Sequence, residues 1–272
     1  MLISTDDLKQ IFQDENLLIV DTRSFGEYSK GHIPGAVNLD LFAFHWFDTS
    51  QNGINSFNGQ TRKLLSFAGI NEKKKIVFYD NVSGMLAARG VWPCQYFSHP
   101  DVCMLDGGFT KWTNEKLSVE TEPTKYSPSN LTTPIDTSII SGFEYVKENI
   151  GKITIIDARS KDEFDGIIPR AARGGHIPTA INIDWNKNLE EGLFKNDEKL
   201  ASLYEIDKDA QIVTYCQGAY RAANSFLALK KIGFKNVKVY LGSWGEWGNN
   251  LELPVEYLFL FPLELVVDHL WH

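Results

Sequence analysis

The apolar positions of this chain fall in short continuous runs, separated by stretches with helix-like spacing. In the second half the runs are "KITIID", "QIVTYC" and "VKVYLG". Each is rich in β-branched residues and ends at a turn, so each predicts a strand buried on both faces. Between them, "DEKLASLYE" and "YRAANSFLALKKIG" predict helices, the second closing on Lys230, Lys231 and Gly233 as a C-terminal signal. At the start of the chain, "STDDLKQIF" predicts a helix capped by Ser4 or Thr5. Strands alternating with helices predict an α/β fold with open, mostly parallel sheets carrying helices on both faces.

The same pattern is written twice. "LLIVDTRSFGEYSKGHIPGAVNLD" in the first half matches "ITIIDARSKDEF" followed, after an insert, by "GGHIPTAINID". "KKIVFYDNVSGMLAAR" matches "AQIVTYCQGAYRAANS", and "VCMLDGGFTKW" matches "VKVYLGSWGEW". The spacing from Asp21 to Asp157 equals that from Asp80 to Cys216. Three matched blocks in one order predict two copies of a single domain. The expected boundaries are residues 1–121 for the first copy, 122–138 for a linker, 139–256 for the second copy and 257–272 for an apolar tail. The linker, "EPTKYSPSNLTTPIDTS", is rich in Pro and Ser/Thr and should be extended and weakly packed. The tail is interrupted by Pro262, Glu264 and Asp268, too charged for a confident membrane span, and should pack back on the body.

Composition narrows the options. The 272 residues are 43% hydrophobic and 23% charged, a globular balance. A net charge of −8 leaves no basic face for nucleic acid, though an acidic chain can still hold an anion locally on backbone N–H groups. Cys94, Cys103 and Cys216 form no C-x-x-C pair, which favours a reducing compartment. With no signal-peptide pattern at the start, a cytoplasmic location is expected. No His, Cys or carboxylate cluster has metal-ligand spacing, so neither metal nor organic cofactor is expected.

Cys216 is the candidate nucleophile. It stands where the strand "QIVTY" stops, and the loop Gln217, Gly218, Ala219, Tyr220 and Arg221 leads into a helix beginning near Ala222. Such a loop aims several N–H groups at its centre, which stabilises a thiolate and should lower the cysteine pKa. Gly218 is expected to supply an unusual backbone angle, Ala219 to keep the loop narrow, and Arg221 to add charge or brace the loop. A buried core cysteine is the plain alternative. Against it, Asp80 fills the matching place in the first copy, so the position should face a cleft and only the second copy is armed. Cys94 and Cys103 sit in apolar contexts and read as core. A cysteine phosphatase needs five residues between Cys and Arg; here there are four, a ring suited to attack on a single sulfur. Asp157, Arg159 and His176 recur as Asp21, Arg23 and His32 in the unarmed copy, so structural roles are expected for all six. Core packing is the default for Trp244 and Trp247, although both follow the next strand and could wall the cleft.

On these tags, with "YCQGAYRAA" and "GSWGEWGN" added, the chain resembles the two-domain rhodanese family of thiosulfate and 3-mercaptopyruvate sulfurtransferases over residues 1 to about 255. The resemblance implies two tandem rhodanese-like domains, the first catalytically silent. It also implies that Cys216 takes a sulfane sulfur from a small donor, becomes a persulfide and passes the sulfur to a thiol, cyanide or a protein acceptor. The departures lie around the donor. Gln217 and Gly218 replace the basic residues of thiosulfate enzymes, and Glu163 stands where they carry an arginine. The loop also lacks the Gly-Ser start and Thr end of mercaptopyruvate enzymes. Arg170 and Arg173, in the insert "IIPRAARGGHIP", are the expected source of the missing charge, with Ser243 and Trp244 as further possible substrate contacts. A non-enzymatic sulfur carrier or scaffold stays open, as does, less favoured, a cysteine phosphatase or arsenate reductase. No nucleic-acid or membrane partner is expected, and the sequence sets no oligomeric state.

Overall fold

The computed structural model describes residues 1–257. The amino-terminal half runs β1 (Leu2–Ile3), α1 (Thr5–Gln10), β2 (Leu17–Asp21), α2 (Phe25–Tyr28), β3 (Val37–Asn38), α3 (Gln51–Phe67), β4 (Lys75–Tyr79), α4 (Met85–Tyr96), β5 (Val102–Leu105) and α5 (Gly108–Asn114). The carboxy-terminal half runs β6 (Ile140–Ser141), α6 (Phe143–Glu148), β7 (Thr154–Asp157), α7 (Lys161–Phe164), β8 (Ile181–Asn182), β9 (Leu189–Glu190), β10 (Leu193–Phe194), α8 (Asp197–Leu203), β11 (Ile212–Tyr215), α9 (Tyr220–Lys231), β12 (Val237–Tyr240) and α10 (Ser243–Trp247). Each half holds a five-stranded sheet, ordered β1-β5-β4-β2-β3 and β6-β12-β11-β7-β8. Every pairing in both sheets is parallel. The two orders are the same order repeated, as the sequence duplication predicts. Only the second half carries the antiparallel pair of β9 with β10.

Alternation along the strands sorts side chains into layers. On β4, Ile76 and Phe78 enter a central core, while Val77 and Tyr79 enter an outer one. On β11, Ile212 faces the central core, and Val213 and Tyr215 face a second outer one. The central core is shared: it holds Phe57, Val91 and Trp92 from the first half together with Phe226, Leu227 and Leu229 from the second. Polar contacts stitch the same seam. Asn224 Nδ2 donates to Ser83 O at 2.9 Å, and Ser83 N donates to Gly192 O at 2.8 Å. Thr49 donates through N and Oγ1 to Glu246 at 2.7 and 2.6 Å.

The first helix is capped by Ser4, whose side chain accepts from Asp7 N. The linker runs without regular structure until a short 3₁₀ turn at Thr137–Ile139, as its composition predicts. It is, however, better held than its composition suggests. Leu131 is buried, and Arg62 Nη1 on α3 donates to Leu131 O and Thr133 O at 3.0 and 2.8 Å. The long polar face of α3 supplies partners that a linker sequence does not reveal. The expectation for the tail concerns residues outside the described range, apart from Tyr257, which is exposed. Among the described residues no helix is long and apolar enough to cross a membrane.

The paired Asp-x-Arg motifs close the strand ends of β2 and β7. Arg159 Nε and Nη2 reach Asp157 at 3.0 and 2.6 Å, and Nη2 also donates to Gly175 O at 2.8 Å. Arg23 repeats this with Asp21 and Gly31 O at the same lengths. The histidines that follow are equally duplicated. His176 Nδ1 lies 2.9 Å from Phe164 O with its ring stacked on Phe164, and His32 does the same with Tyr28. Each ion pair is fully buried, so removing one partner leaves an uncompensated charge. Arg159→Met should therefore destabilise the protein by about 3–5 kcal/mol. The urea midpoint should fall with an unchanged m value.

Candidate active site

The loop from Cys216 to Ala219 lies between the carboxyl end of β11 and the start of α9, where open parallel sheets gather ligands. Its shape is fixed from below by Ser243. The Ser243 hydroxyl accepts from Cys216 N at 3.2 Å and Ala219 N at 3.1 Å, and donates to Tyr240 O at 2.8 Å. Two backbone bonds tie the loop to α10, Trp244 N to Cys216 O and Gly245 N to Gln217 O, both 2.9 Å. Ser243 is 0% exposed, and its geometry is that of a brace for the loop. Trp244 is equally buried, stacked over the Arg159 guanidinium at 4.5 Å, in the outer core. Phe109 holds the matching place over Arg23.

The left-handed residue of the loop is Ala219, with φ 68°, and not Gly218 as its sequence suggests. Gly218 is required for a different reason. A Cβ there would lie 2.9 Å from His45 Cδ2 and 3.3 Å from Phe47 Cε1. Both side chains belong to the first half, and Gly245 similarly leaves room for Phe47. The helix begins at Tyr220, where the stretch "YRAANSFLALKKIG" starts, so Tyr220 and Arg221 belong to its first turn and not to the loop.

Cys216 is 1% exposed, where the sequence led us to expect a residue facing an open cleft. The cover comes from the other half, through the segment between β3 and α3. Tyr220 Oη lies 2.5 Å from Leu41 O and 2.6 Å from Phe44 O, and the His45 ring sits 4.9 Å from the Tyr220 ring. Burial pushes the Tyr220 hydroxyl up to about 12 against the pull of Arg89, so it remains a donor at neutral pH. Burial, helped by the Arg89 charge, holds His45 below the usual histidine range.

Asp80 shows what the loop geometry can hold. Its carboxylate accepts from four main-chain amides, those of Val82, Gly84, Leu86 and Ala87, at 3.0–3.2 Å. Burial raises its pKa to about 6 while the four amides pull it down, so at neutral pH it is an anion in an amide nest. The matching amides in the armed half are those of Gly218, Tyr220, Ala222 and Ala223. Ala223 N is spent on Ala219 O, while Tyr220 and Ala222 lie in the first helical turn, where amides have no intrahelical partner.

The candidate arginines separate. Arg221 donates to Glu163 through Nη1 and Nη2 at 2.6 and 2.9 Å, so its charge is taken locally. Arg170 Nε lies 3.5 Å from the same carboxylate with its side chain 60% exposed, and its carbonyl accepts from Gln217 Nε2 at 2.9 Å. It therefore stands on the rim of the loop. Arg173 instead clamps the end of the domain, donating to the carbonyls of Gly248, Leu253, Trp247 and Asn250. It supplies no charge to the cleft, because those carbonyls hold its guanidinium away in the body. Sequence reading missed His45, Phe47 and Arg89, which reach the loop across the seam with no spacing to announce them. The Arg221–Glu163 pair had one signal, a carboxylate at the place where the family resemblance implies an arginine. Cys94 and Cys103 are buried, and burial pushes Cys94 well above the ordinary thiol range and Cys103 up to about 11. Among the described residues no group of three or more His, Cys, Asp or Glu is placed to hold a metal.

Comparison with known proteins agrees with this architecture. The rhodanese-like domain profile matches twice, over residues 4–115 and 143–250. The chain is 34% identical to the sulfur carrier protein TtuD of Thermus thermophilus, covering 94% of this chain and 96% of that one. It is 28% identical to a thiosulfate sulfurtransferase of Pseudomonas aeruginosa, over 94% and 97% of the two chains. The crystal structure of SseA from Escherichia coli, described as a 3-mercaptopyruvate sulfurtransferase, superposes with a TM-score of 0.76 at 27% identity, covering 89% of this chain and 98% of that one.

Glu163 offers a measurable handle on the loop. Burial alone would raise its pKa, but the Arg221 hydrogen bonds and charge outweigh this and carry it to about 2, from an ordinary value near 4.5. A depressed carboxylate contributes stability that is present above its unfolded pKa and lost as pH falls through its folded one. The pair's contribution should thus fade between about pH 4.5 and about pH 2. Chemical denaturation across that window should show a shallower acid limb in Glu163→Gln than in the unsubstituted protein.

Proposed function

Because the chain belongs to the rhodanese family of sulfurtransferases, we propose that Cys216 carries a sulfane sulfur from a small anionic donor to a nucleophilic acceptor. The observation that carries this reading is the contrast at one position. The loop that holds the Asp80 carboxylate on four amides in the first half holds a cysteine in the second. A site built to hold an anion, with sulfur at its centre, suits a thiolate and the persulfide that replaces it.

In the first step the Cys216 thiolate attacks the outer sulfur of thiosulfate or the single thiol sulfur of 3-mercaptopyruvate. A new S–S bond forms and the donor's bond to that sulfur breaks. Its electron pair leaves on sulfite, or on the enolate that is protonated to pyruvate. The negative charge then sits on the outer sulfur of the persulfide, still inside the loop. In the second step a thiol, cyanide or a protein acceptor attacks that outer sulfur, and the Cys216 thiolate leaves, completing a covalent cycle. The amides of Gly218, Tyr220 and Ala222 are the donors available to both anions. Ser243 holds the loop in the conformation that presents them. Arg170 at the rim is the exposed cation that an incoming donor meets first. No step requires a metal or an organic cofactor.

A second reading has its own observation. Cys216 is covered by the first half, and a relative of nearly full coverage is named a sulfur carrier. In that reading another persulfide-bearing protein loads Cys216, and small donors do not. Intact mass after incubation with thiosulfate, or with 3-mercaptopyruvate, separates the two. The expected result is a gain of one sulfur atom by the unsubstituted protein, absent in Cys216→Ser and reversed by cyanide. Loading by neither small donor but by a persulfidated protein selects the carrier reading. A Cys216→Ser protein that gains the same mass would sink both. A second outcome concerns the loop: Ser243→Ala strands the buried amides of Cys216 and Ala219, a cost of about 1–3 kcal/mol for each group left unpaired. It should slow loading while leaving the bound sulfur on Cys216.

A further inference from the structure

Arg89 is a buried cation in want of a counter-charge. It lies on α4 of the half that has no cysteine, and it is 2% exposed. Aromatic rings surround it: the guanidinium carbon lies 5.7 Å from the ring of Phe57, 5.0 Å from Trp92 and 5.4 Å from Tyr220. Nη1 is buried without a hydrogen-bond partner, and among the described residues Arg89 makes no salt bridge. Beside it is a cavity of about 10 Å³, lined by Leu41, Phe44 and Thr61 among others, with Thr61 Oγ1 also unpartnered. That volume admits at most a single water. A water satisfies N–H groups but supplies no negative charge, and an unpaired buried charge is costly.

The repeat shows which way Arg89 faces. Asn224, on α9, donates to Ser83 in the Asp80 loop. The spacing that carries Asp80 onto Cys216 carries Ser83 onto Ala219, and the counterpart of Asn224 is Ala88. The pseudo-symmetric contact therefore brings α4 at Ala88 and Arg89 to the Cys216 loop, and the ring of Tyr220 under the guanidinium marks that arrival. The counterpart of Arg89 is Ser225, a neutral residue. The Asp80 loop is thus met by the neutral Asn224, while the corresponding approach to the Cys216 loop carries an arginine beside Ala88.

We infer that Arg89, supplied by the half without a nucleophile, is the cation that faces the Cys216 sulfur and offsets the charge of the thiolate and of the persulfide. The inference rests on the sulfurtransferase reading and gives its site a second parent domain. It also locates the positive charge that the loop lacks at Gln217 and Gly218. Arg221 also interacts with the Cys216 charge, but it is ion-paired with Glu163 at 2.6 Å, whereas Arg89 has no carboxylate partner among the described residues. Burial lowers the Arg89 pKa, while the charges of Tyr220 and Cys216 work to raise it, but a guanidinium this far from its titration range stays protonated. An unpaired cation in a region of low effective dielectric favours an anion placed opposite it.

The test is the pH profile of Cys216 alkylation by iodoacetamide, read alongside the rate of sulfur loading from thiosulfate. Both are measured for the unsubstituted protein, Arg89→Met and Arg89→Lys. Besides Arg89, the titratable and charged groups around the sulfur are His45 and Asp40 from the covering segment, Tyr220 and Arg221 from α9, Glu163 from α7, and the Asp157–Arg159 pair at the end of β7. All remain in the variants, and His45→Gln removes the one histidine step among them. Arg89→Met should move the alkylation profile to higher pH by about one unit and slow loading by about tenfold or more. Arg89→Lys, which keeps the charge, should move both back toward the unsubstituted values. A folded Arg89→Met with an unmoved profile would overturn the inference. So would the loss of folded protein, by circular dichroism, in both variants, which would make Arg89 a packing residue. If the unsubstituted protein takes sulfur from neither thiosulfate nor 3-mercaptopyruvate, the small-donor reading falls, and the alkylation profiles still decide the role of Arg89.

Discussion

The inner faces of the two sheets share one core, and that constraint governs the rest of the molecule. Neither half closes its own inner face. Phe57 and Trp92 from one half and Phe226 and Leu227 from the other bury each other, so the helices α4 and α9 meet at the centre of the protein. Both loops that follow the central strands, at Asp80 and at Cys216, point into this seam. A residue at the start of either helix is therefore a neighbour of the opposite half. The site cannot be described from the cysteine-bearing half alone: its floor is Ser243, its rim is Arg170, and its cover is Leu41 to Phe47.

Duplication makes one half a control for the other. Features present in both, such as the Asp-x-Arg pairs and the stacked histidines, keep the same distances and the same partners, and they answer to the fold. At the two matching loops, the features present once are the ones that bear on chemistry. The aspartate and the cysteine occupy one kind of nest, and their surroundings differ where a fixed charge and a reactive one would need them to differ.

Much of this was legible in the residues. The repeats predicted two sheets built alike, because matching apolar runs fold into matching strands, while the strand order within each came from the structure. Ser4 was readable as a cap, since its hydroxyl acts within one turn. Cys216 was readable from its place at a strand end and from its replacement by aspartate in the other copy. What escaped was everything that crosses the seam. Gly218 was credited with an unusual backbone angle, whereas Ala219 adopts it and Gly218 makes room for His45. Arg173 was a candidate for the cleft by its place in an arginine-rich insert, yet four carbonyls draw it into the body. Long polar side chains choose partners by three-dimensional proximity, and sequence spacing records that only within a turn or a strand.

Tethering also changes what a two-fold arrangement can become. In an association of identical subunits, each substitution appears on both sides of the axis, so nucleophile and countercharge would have to coexist in every copy. A single chain that contains both halves is free of that rule. Arg89 and Ser225 occupy equivalent places, as do Asp80 and Cys216, yet each pair has diverged. Joining the halves end to end turned a symmetric pair into a division of labour.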